Sequence, residues 1–470
     1  VELTEKLTRI VGAKHILTGK DCDKYAHDWT GKYHATPLAV VRPGSTVEIS
    51  QVLALANQTG TQIVPVSGNT GLVGGTYAEG ALMLSVERLN KIREIRPEAR
   101  IAIVEAGVIL SSLHSAADAH DLIFPLFFGA RGSAMIGGVL STNAGGSNVV
   151  RYGSTRALCM GLEVVLADGR VMDLMTELHK DNSGYDLRDL FIDAEGTLGI
   201  ITAAVMKLSP KPKAYATAMV AARDLPTALG LLNRLQSSTG GAVEAFEYMP
   251  GVYIEQHMAK FPKAGAPFEK MHDVNILVEV GATAPRDATP AEDGSIPVVS
   301  YLEETLAGLM EEGDVLDAVV AQNEAQRLAM WARREQAAEV QMVRLPIVVT
   351  DIAVPLDRVA VCMARIETEL TKIDAGAEFS MVSHLGDGNI HYVVWPASHD
   401  PAIQDAVMEM VEDIALSLGG SFSAEHGIGL SKKPSMQRRK SPVAVDVMRS
   451  IKAALDPKGI LNPGKVLPKK

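Results

Sequence analysis

The sequence predicts an α+β protein of more than one domain, and three observations carry that prediction. Between residues 61 and 210, short Val- and Ile-rich runs alternate with glycine-dense loops, a strand-and-loop rhythm with little helical periodicity. Ser209–Lys213 (S-P-K-P-K) breaks that rhythm with prolines and lysines, as a domain boundary does. At 470 residues the chain also exceeds what a single hydrophobic core usually holds, so two or three domains are expected.

Taken in order, V-E-L-T-E-K-L-T-R-I at the start reads as a charged amphipathic helix rather than a signal peptide. A strand follows at Pro37–Arg42, then a helix at Val47–Gln58 from a cap at Ser45 or Thr46. Strands are expected at Gln62–Val66, Ala81–Ser85, Ile101–Ala106, Met160–Leu166 and Ile200–Leu208. After the boundary come strands near Tyr215–Ala221, Ala245–Met249, Asn275–Val280 and Ile347–Val354. Helices are expected at Pro226–Gln236, Ile296–Met310, Asp317–Ala338, Leu356–Ile373 and Ile403–Leu418. Residues 282–295 read as an exposed polar loop, and a last helix from Val443 ends at Asp456-Pro457 before an irregular terminus.

Composition narrows the function. The 45 Lys and Arg against 56 Asp and Glu leave a net charge of −11, which argues against nucleic acid as a partner. Cys22, Cys159 and Cys362 are too few and too scattered for a disulfide framework or a cysteine zinc site. They read as buried or free thiols in a reducing compartment. No run approaches the ~20 apolar residues that span a bilayer, so a cytoplasmic protein is expected, with peripheral membrane association left open. The chain does not begin with Met, so further N-terminal sequence also stays open.

The most informative pair of segments is H-L-G-D-G-N-I-H at 384–391 and A-E-H-G at 424–427. Asp387-Gly388 suits a two-residue hairpin turn, because both positions tolerate positive φ. That turn would set His384 directly opposite His391 on one sheet face, with Cβ atoms about 4.5–5.5 Å apart. Two imidazoles at that spacing can share a metal ion; Glu425 could add an oxygen, leaving His426 beside it as an acid or base. The bland alternative is a tight turn carrying two ordinary histidines.

Three loops concentrate the glycines. Pro65–Thr76 (P-V-S-G-N-T-G-L-V-G-G-T) follows an apolar strand, and its small residues let successive N–H groups form an anion nest, with Ser67 and Thr70 as further donors. It matches neither the Rossmann nor the P-loop spacing. Gly132–Asn148 mixes small and apolar residues, which suits backbone lying flat on a planar ligand. Glu195–Thr202 (E-G-T-L-G-I-I-T) leads into a strand. Together they suggest a long ligand such as a dinucleotide, although turns alone would also use these glycines.

With these loops in order from A-V-V-R-P-G-S at 39–45 to I-L-N-P-G-K at 460–465, the chain resembles flavoproteins of the vanillyl-alcohol oxidase or p-cresol methylhydroxylase type. Within them it resembles the FAD-dependent D-2-hydroxyacid dehydrogenases: D-lactate and D-2-hydroxyglutarate dehydrogenases and the glycolate oxidase FAD subunit. The resemblance implies a two-subdomain FAD-binding domain over 1–210, an α+β substrate (cap) domain with an antiparallel sheet over 211–420, and a helical C-terminal segment, 421–470, that completes the site.

The resemblance further implies that Val66, Ser67, Gly68, Asn69, Thr70 and Gly71 cradle the FAD pyrophosphate. Pro125, Ser133, Gly137, Thr142 and Gly145 would line the flavin and ribityl chain. Glu195, Gly199 and Ile201 would contact the adenosine or ribityl side, and Asn462 would return near the flavin. No histidine in these loops matches the family's covalent attachment point, so FAD is expected to be non-covalent. His384, His391 and Glu425 match the family's divalent-metal ligands, with zinc the preferred ion and iron or manganese accepted by the same set. His426 matches the base that takes the hydroxyl proton while hydride leaves for flavin N5.

Arg334, in W-A-R-R-E-Q-A-A-E-V, takes the position of the substrate-carboxylate arginine, ahead of Arg333. A threonine, lysine and asparagine of the 2-hydroxyglutarate enzymes correspond to Ala338, Val349 and Val393. A second substrate carboxylate would then be buried unpaired, a cost on the order of 3–5 kcal/mol. A D-lactate-like monocarboxylate is therefore expected, unless Arg344 supplies the missing charge from another direction. D-2-hydroxyglutarate or D-malate is the alternative substrate, and a glycolate oxidase FAD subunit a more distant one. A metallohydrolase would leave the glycine loops unexplained, and a non-catalytic flavin subunit would leave His384, His391, Glu425 and His426 without purpose. The electron acceptor (a quinone, an electron-transfer flavoprotein or a cytochrome) and the oligomeric state, a homodimer included, are not fixed by the sequence.

Overall fold

The computed structural model describes residues 2–469, so Val1 at the head of the predicted first helix lies outside the described residues. Three main sheets organise the chain. A four-stranded mixed sheet orders Ile16–Leu17, Ala39–Val41, Leu82–Ser85 and Ile63–Val66 across its width. The helix Thr46–Thr59 precedes Ile63–Val66, and its start is written in the sequence. Ser45 caps the helix by accepting a hydrogen bond from Glu48 N, and Glu48 Oε2 reaches back past the cap to accept one from Gly44 N. The C-terminal tail joins this sheet as well, with Leu461 bridging in parallel to Ile63.

A five-stranded antiparallel sheet follows, in the order Ile92–Arg96, Ile101–Glu105, Ile200–Lys207, Cys159–Val165, Val171–Leu174. The edge strands Ile92–Arg96 and Val171–Leu174 escaped the sequence reading because they are short, charged and partly exposed. Helix Leu110–Asp118 escaped it too, since its serines and alanines give a weak apolar stripe.

The second half is built on a seven-stranded antiparallel sheet. Its order is Val315–Val320, Ala214–Ala222, Val274–Ala282, Val243–Pro250, Glu378–His384, Asn389–Trp395, Val348–Ala353. One face packs on helices Leu225–Ser238, Pro297–Glu312, Val359–Ile373 and Pro401–Ser417 around a buried core that includes Phe246, Ile276, Leu302, Ile366 and Val411. The other face carries Glu247, Val382, His384, His391 and Asp351, which the registers place on one side of three neighbouring strands and a fourth.

Two expectations need correction. The long helix expected at Asp317–Ala338 is an edge strand, Val315–Val320, followed by helices Glu324–Glu335 and Ala337–Gln341. The β-branched run pairs with Ala218–Ala222, and Asn323 starts the helix by accepting a bond from Gln326 N. The hairpin at the histidines is not a two-residue turn. Its loop is Leu385–Gly388, His384 pairs with Asn389, and His391 stands opposite Val382. Asp387 Oδ1 accepts from Asn389 N, Gly388 N bonds to the His384 carbonyl, and Gly388 sits at φ 82°, where glycine is favoured. The register has slipped by two residues. Side chains alternate with period two, so both histidines keep the same face and meet diagonally, with ring centroids 5.2 Å apart.

Candidate active site

His384 and His391 come together with Glu425, which lies in the loop that follows the isolated bridge of Ser421 to Ala353. Glu425 Oε1 lies 4.0 Å from His384 Nε2 and its Oε2 lies 3.7 Å from His391 Nε2. These three offer donor atoms close enough together for one cation, and so do Asp351, His391 and His426. In the first set burial lowers the His391 pKa, reinforced by the charge of His384, so that ring is a neutral donor, whereas His384 has to give up its proton to bind an ion. Burial pushes the Glu425 carboxyl up to about 7, the behaviour of an acid that lacks enough nearby positive charge.

Two buried carboxylates that the sequence reading missed hold this group in place. Glu247 is 0 % exposed; its Oε1 lies 2.8 Å from His384 Nδ1, and its Oε2 lies 2.7 Å from Arg334 Nε. The Arg334 Nε–H is not aligned for a hydrogen bond, so that contact is an ion pair. Burial works against charge on His384, but Glu247 outweighs it and raises the histidine to about 9. Arg334 Nη2 lies 3.4 Å from His384 Nε2, so arginine and imidazole share one carboxylate.

Asp351 does the corresponding work on the other side. Its Oδ2 accepts from the backbone N–H of both Glu425 and His426 at 2.9 Å. Asp351 Oδ1 accepts from Asn389 Nδ2 and lies 3.6 Å from His391 Nδ1, while Oδ2 lies 3.5 Å from His426 Nδ1. Burial alone would raise this carboxyl; His426, Lys432 and His391, with the Glu425 N–H, hold it well below the usual range. Burial lowers the His426 pKa, leaving a neutral imidazole backed by a carboxylate and ring-stacked 5.7 Å from His391. Asp351 sits in V-T-D-I-A-V-P with no ligand-like spacing around it, and Glu247 had no local signal, because its partners lie far away in sequence.

The glycine loops converge on the same place. Ser67 Oγ accepts from Gly138 N, and a Cβ on Gly68 would stand 2.2 Å from the Ser133 carbonyl oxygen, so the first two loops touch through Ser67, Gly68, Ser133 and Gly138. Val66 is buried at the strand end, while Asn69 at φ 53° donates to His27 O and accepts from Thr76. Thr70 is partly exposed, and Gly71 has open space beside it. Gly137 packs on Ala106, and Thr142 bonds back to the Gly138 carbonyl. Pro125 is buried one residue before Leu126 in the adjoining segment. A Cβ on Gly145 would stand 2.5 Å from Glu425 Oε1, so this loop lies directly against the candidate metal carboxylate.

The third loop divides. Glu195 is buried, and its carboxylate accepts from Ile428 N and Gly429 N, immediately after the E-H-G segment. Asn462 donates to the Glu195 carbonyl and to Gly75 O, tying in the C-terminal tail. Gly199 and Ile201 are placed in the core of the five-stranded sheet, Gly199 against Val164 and Phe191 and Ile201 paired with Val164. Close packing at Gly68, Gly137 and Gly145 holds these loops together, Gly71 keeps open space beside it, and the small residues with the Ser67 and Thr70 hydroxyls suit an anionic ligand such as a diphosphate.

Beyond the histidines, Val349 stands directly opposite Val393, on the face and next in line from Asp351 and His391. Ser380 flanks Val393 on the other side and accepts a bond from Gln341 Nε2. Arg344 pairs with Glu378 and stacks on Trp395, so its charge is already answered. Arg333 turns away, toward the Ala264 and Gly265 carbonyls.

Residues 211–466 match the family described as FAD linked oxidases, C-terminal domain, and residues 37–175 match the FAD binding domain. A D-2-hydroxyglutarate dehydrogenase of Xanthomonas citri pv. viticola is 36% identical over 454 residues, 95% of this chain and 92% of its own. The mitochondrial D-2-hydroxyglutarate dehydrogenase of Arabidopsis thaliana is 34% identical over 461 residues, 98% of this chain and 80% of that one. Among solved structures, p-cresol methylhydroxylase with substrate bound shares the fold, with a TM-score of 0.74 at 16% identity over 99% of this chain and 96% of its own.

Proposed function

The chain belongs to the FAD-linked oxidase family, among the relatives of its D-2-hydroxyacid dehydrogenases, and from there we propose that it oxidises a D-2-hydroxy acid carrying a single carboxylate to the 2-oxo acid. The observation that carries the reading is the shared carboxylate of Glu247, which sets a carboxylate-binding arginine beside a candidate metal histidine. FAD, when bound along the glycine loops, supplies the hydride acceptor, and a divalent ion held by His384, His391 and Glu425 would supply Lewis acidity toward the substrate hydroxyl.

The chain's own residues do the rest. Arg334 pairs with the C1 carboxylate and fixes which face of C2 is presented. His426 takes the hydroxyl proton, and Asp351 Oδ2, 3.5 Å from its Nδ1, stabilises the imidazolium that results. Val349 and Val393 leave the far end of the substrate an apolar wall. A second carboxylate at this wall would meet no positive charge from either valine, which favours D-lactate or a hydroxy acid with an apolar tail.

The second reading takes D-2-hydroxyglutarate as substrate; the names of both relatives favour it. Anaerobic flavin bleaching with D- and L-lactate, D-2-hydroxybutyrate, D-malate and D-2-hydroxyglutarate separates the two. Rapid bleaching by the D-monocarboxylates alone is expected. Bleaching by D-2-hydroxyglutarate but not D-lactate would overturn the substrate assignment, and no bleaching by any D-acid would overturn the reaction. Turnover would require an electron acceptor such as a quinone, an electron-transfer flavoprotein or a cytochrome.

A further inference from the structure

A cavity of about 500 Å³ lies in the cap half, and none of the candidate active-site residues lines it. It is bounded by helix Gly251–Lys260, the loop that follows, helix Glu324–Glu335 and the edge strand Val315–Val320. Met219, Phe261, Val319 and Met330 give it an apolar wall, and no aspartate or glutamate of the described residues lines it.

Arg333 stands on that wall, 6% exposed. Three arginines of the same helix make the comparison. Arg327 pairs with buried Glu279 through two nitrogens, and Arg334 pairs with buried Glu247. Among the described residues Arg333 has only the Ala264 and Gly265 carbonyls, at 3.3 and 2.9 Å on one nitrogen, and its buried Nε has no partner. His257, fully buried beside it, bonds to Gln336 through Nε2 and leaves Nδ1 without a partner among the described residues. Exposed Lys263 at the margin adds a second positive charge.

A buried guanidinium answered only by neutral carbonyls is destabilising, and folded proteins seldom keep one without a compensating anion. We propose that the cavity is a second ligand site, which binds a monocarboxylate with an apolar tail. The carboxylate would meet Arg333, and the tail would lie along Met219, Phe261, Val319 and Met330. A volume of this size is in the usual range for small-molecule pockets, roughly 300–1,000 Å³. Arg333 and the proposed substrate arginine are neighbours on one helix but face different spaces, so the two sites are separate.

Octanoate is the probe, titrated into the purified FAD-loaded protein by calorimetry, with 1-octanol as the neutral control. Saturable octanoate binding is expected, with octanol binding at least ten-fold more weakly. Arg333→Gln, which keeps a donor for the loop carbonyls, is expected to weaken octanoate at least ten-fold. Val319→Trp fills the cavity from an edge-strand position and is expected to abolish binding while the melting temperature stays within a few degrees. Absence of saturable binding, equal binding of octanol, or undiminished octanoate affinity in both variants would each overturn the proposal. The last outcome would place octanoate in the substrate pocket instead, and none of these readouts depends on the oxidation reaction.

Discussion

Gly145 lies so close to Glu425 that a single added methyl would stand 2.5 Å from its Oε1. The loop expected to lie under a flavin therefore abuts the carboxylate expected to hold a metal. Glycine is required at this position for reasons of space rather than of backbone angle. Gly145→Ala should push Glu425 aside while leaving the first glycine loop, Pro65–Thr76, intact. Displacing a reacting constellation by about 1 Å can cost on the order of 10²-fold in rate. The variant should keep its flavin absorbance and lose about that much in the rate of anaerobic flavin reduction. A wild-type rate would show that Glu425 has no part in the chemistry.

Glu247 binds two partners, so its substitutions should separate charge from shape. Glu247→Gln keeps the size and one acceptor for His384, but leaves Arg334 without its counter-charge. Loss of a group that orients a metal ligand typically costs 10–100-fold in metal affinity or activity. A fall of about that size in kcat/KM is expected for Glu247→Gln. Glu247→Ala strands a buried arginine and should destabilise the fold by about 3–5 kcal/mol. Urea unfolding and steady-state kinetics on the two variants would check both statements.

Much of this arrangement was legible before the structure. The histidine hairpin, the E-H-G loop and the glycine segments were all recognisable from local pattern, and so were most core strands. What stayed hidden was non-local. His384 and Glu247 meet only because the strand Val243–Pro250 pairs with Glu378–His384, 137 positions away in sequence for the contacting pair. The hairpin register was misjudged because a four-residue loop and a two-residue loop are both compatible with L-G-D-G. The error left the site intact, since a slip of two residues returns each side chain to its own face. The helix misread at Asp317–Ala338 began in a valine run whose strand pairing depends on a distant partner, Ala218–Ala222.

Metal dependence can be read without reference to substrate identity. Dialysis against a strong chelator should remove one divalent ion per chain, measured by plasma emission, and leave FAD bound. Flavin reduction should fall by at least ten-fold and return on addition of zinc or manganese. His391→Ala should bind no ion under the same conditions. Full activity in a protein shown to be metal-free would assign the histidines to substrate binding alone.

The pair Val349 and Val393 offers a gain-of-function test of the apolar wall. Val349 is 38% exposed, so a lysine placed there can reach the pocket without burying its whole stem. Val349→Lys with Val393→Asn should raise kcat/KM for D-2-hydroxyglutarate relative to D-lactate by at least ten-fold, about 1.4 kcal/mol of discrimination. An unchanged ratio would mean that the second carboxylate, if one is accepted, approaches from elsewhere.

Burial of His114 should set an acid limit to the FAD-binding half. Its ring stacks on Phe127 at 4.5 Å, and Nε2–H donates to the Leu126 carbonyl at 3.0 Å. Burial lowers its pKa to about 4 from the ordinary 6.5. The folded state therefore holds fewer protons here than the unfolded chain between those two values. Stability tied to this ring is complete above pH 6.5 and is lost progressively as the pH falls toward 4. The ring is partly exposed, so solvent screening reduces the effect to on the order of 1–2 kcal/mol. Glu195, raised to about 7 by burial, acts in the opposite sense, favouring the folded state at lower pH. Only a difference between variants isolates the histidine. His114→Gln retains a donor for Leu126 and removes the titration, so its urea midpoint should gain on the wild type steadily as the pH is lowered from 7 to 4.5. A gap between the two proteins that stays constant over that range would assign acid sensitivity to other groups.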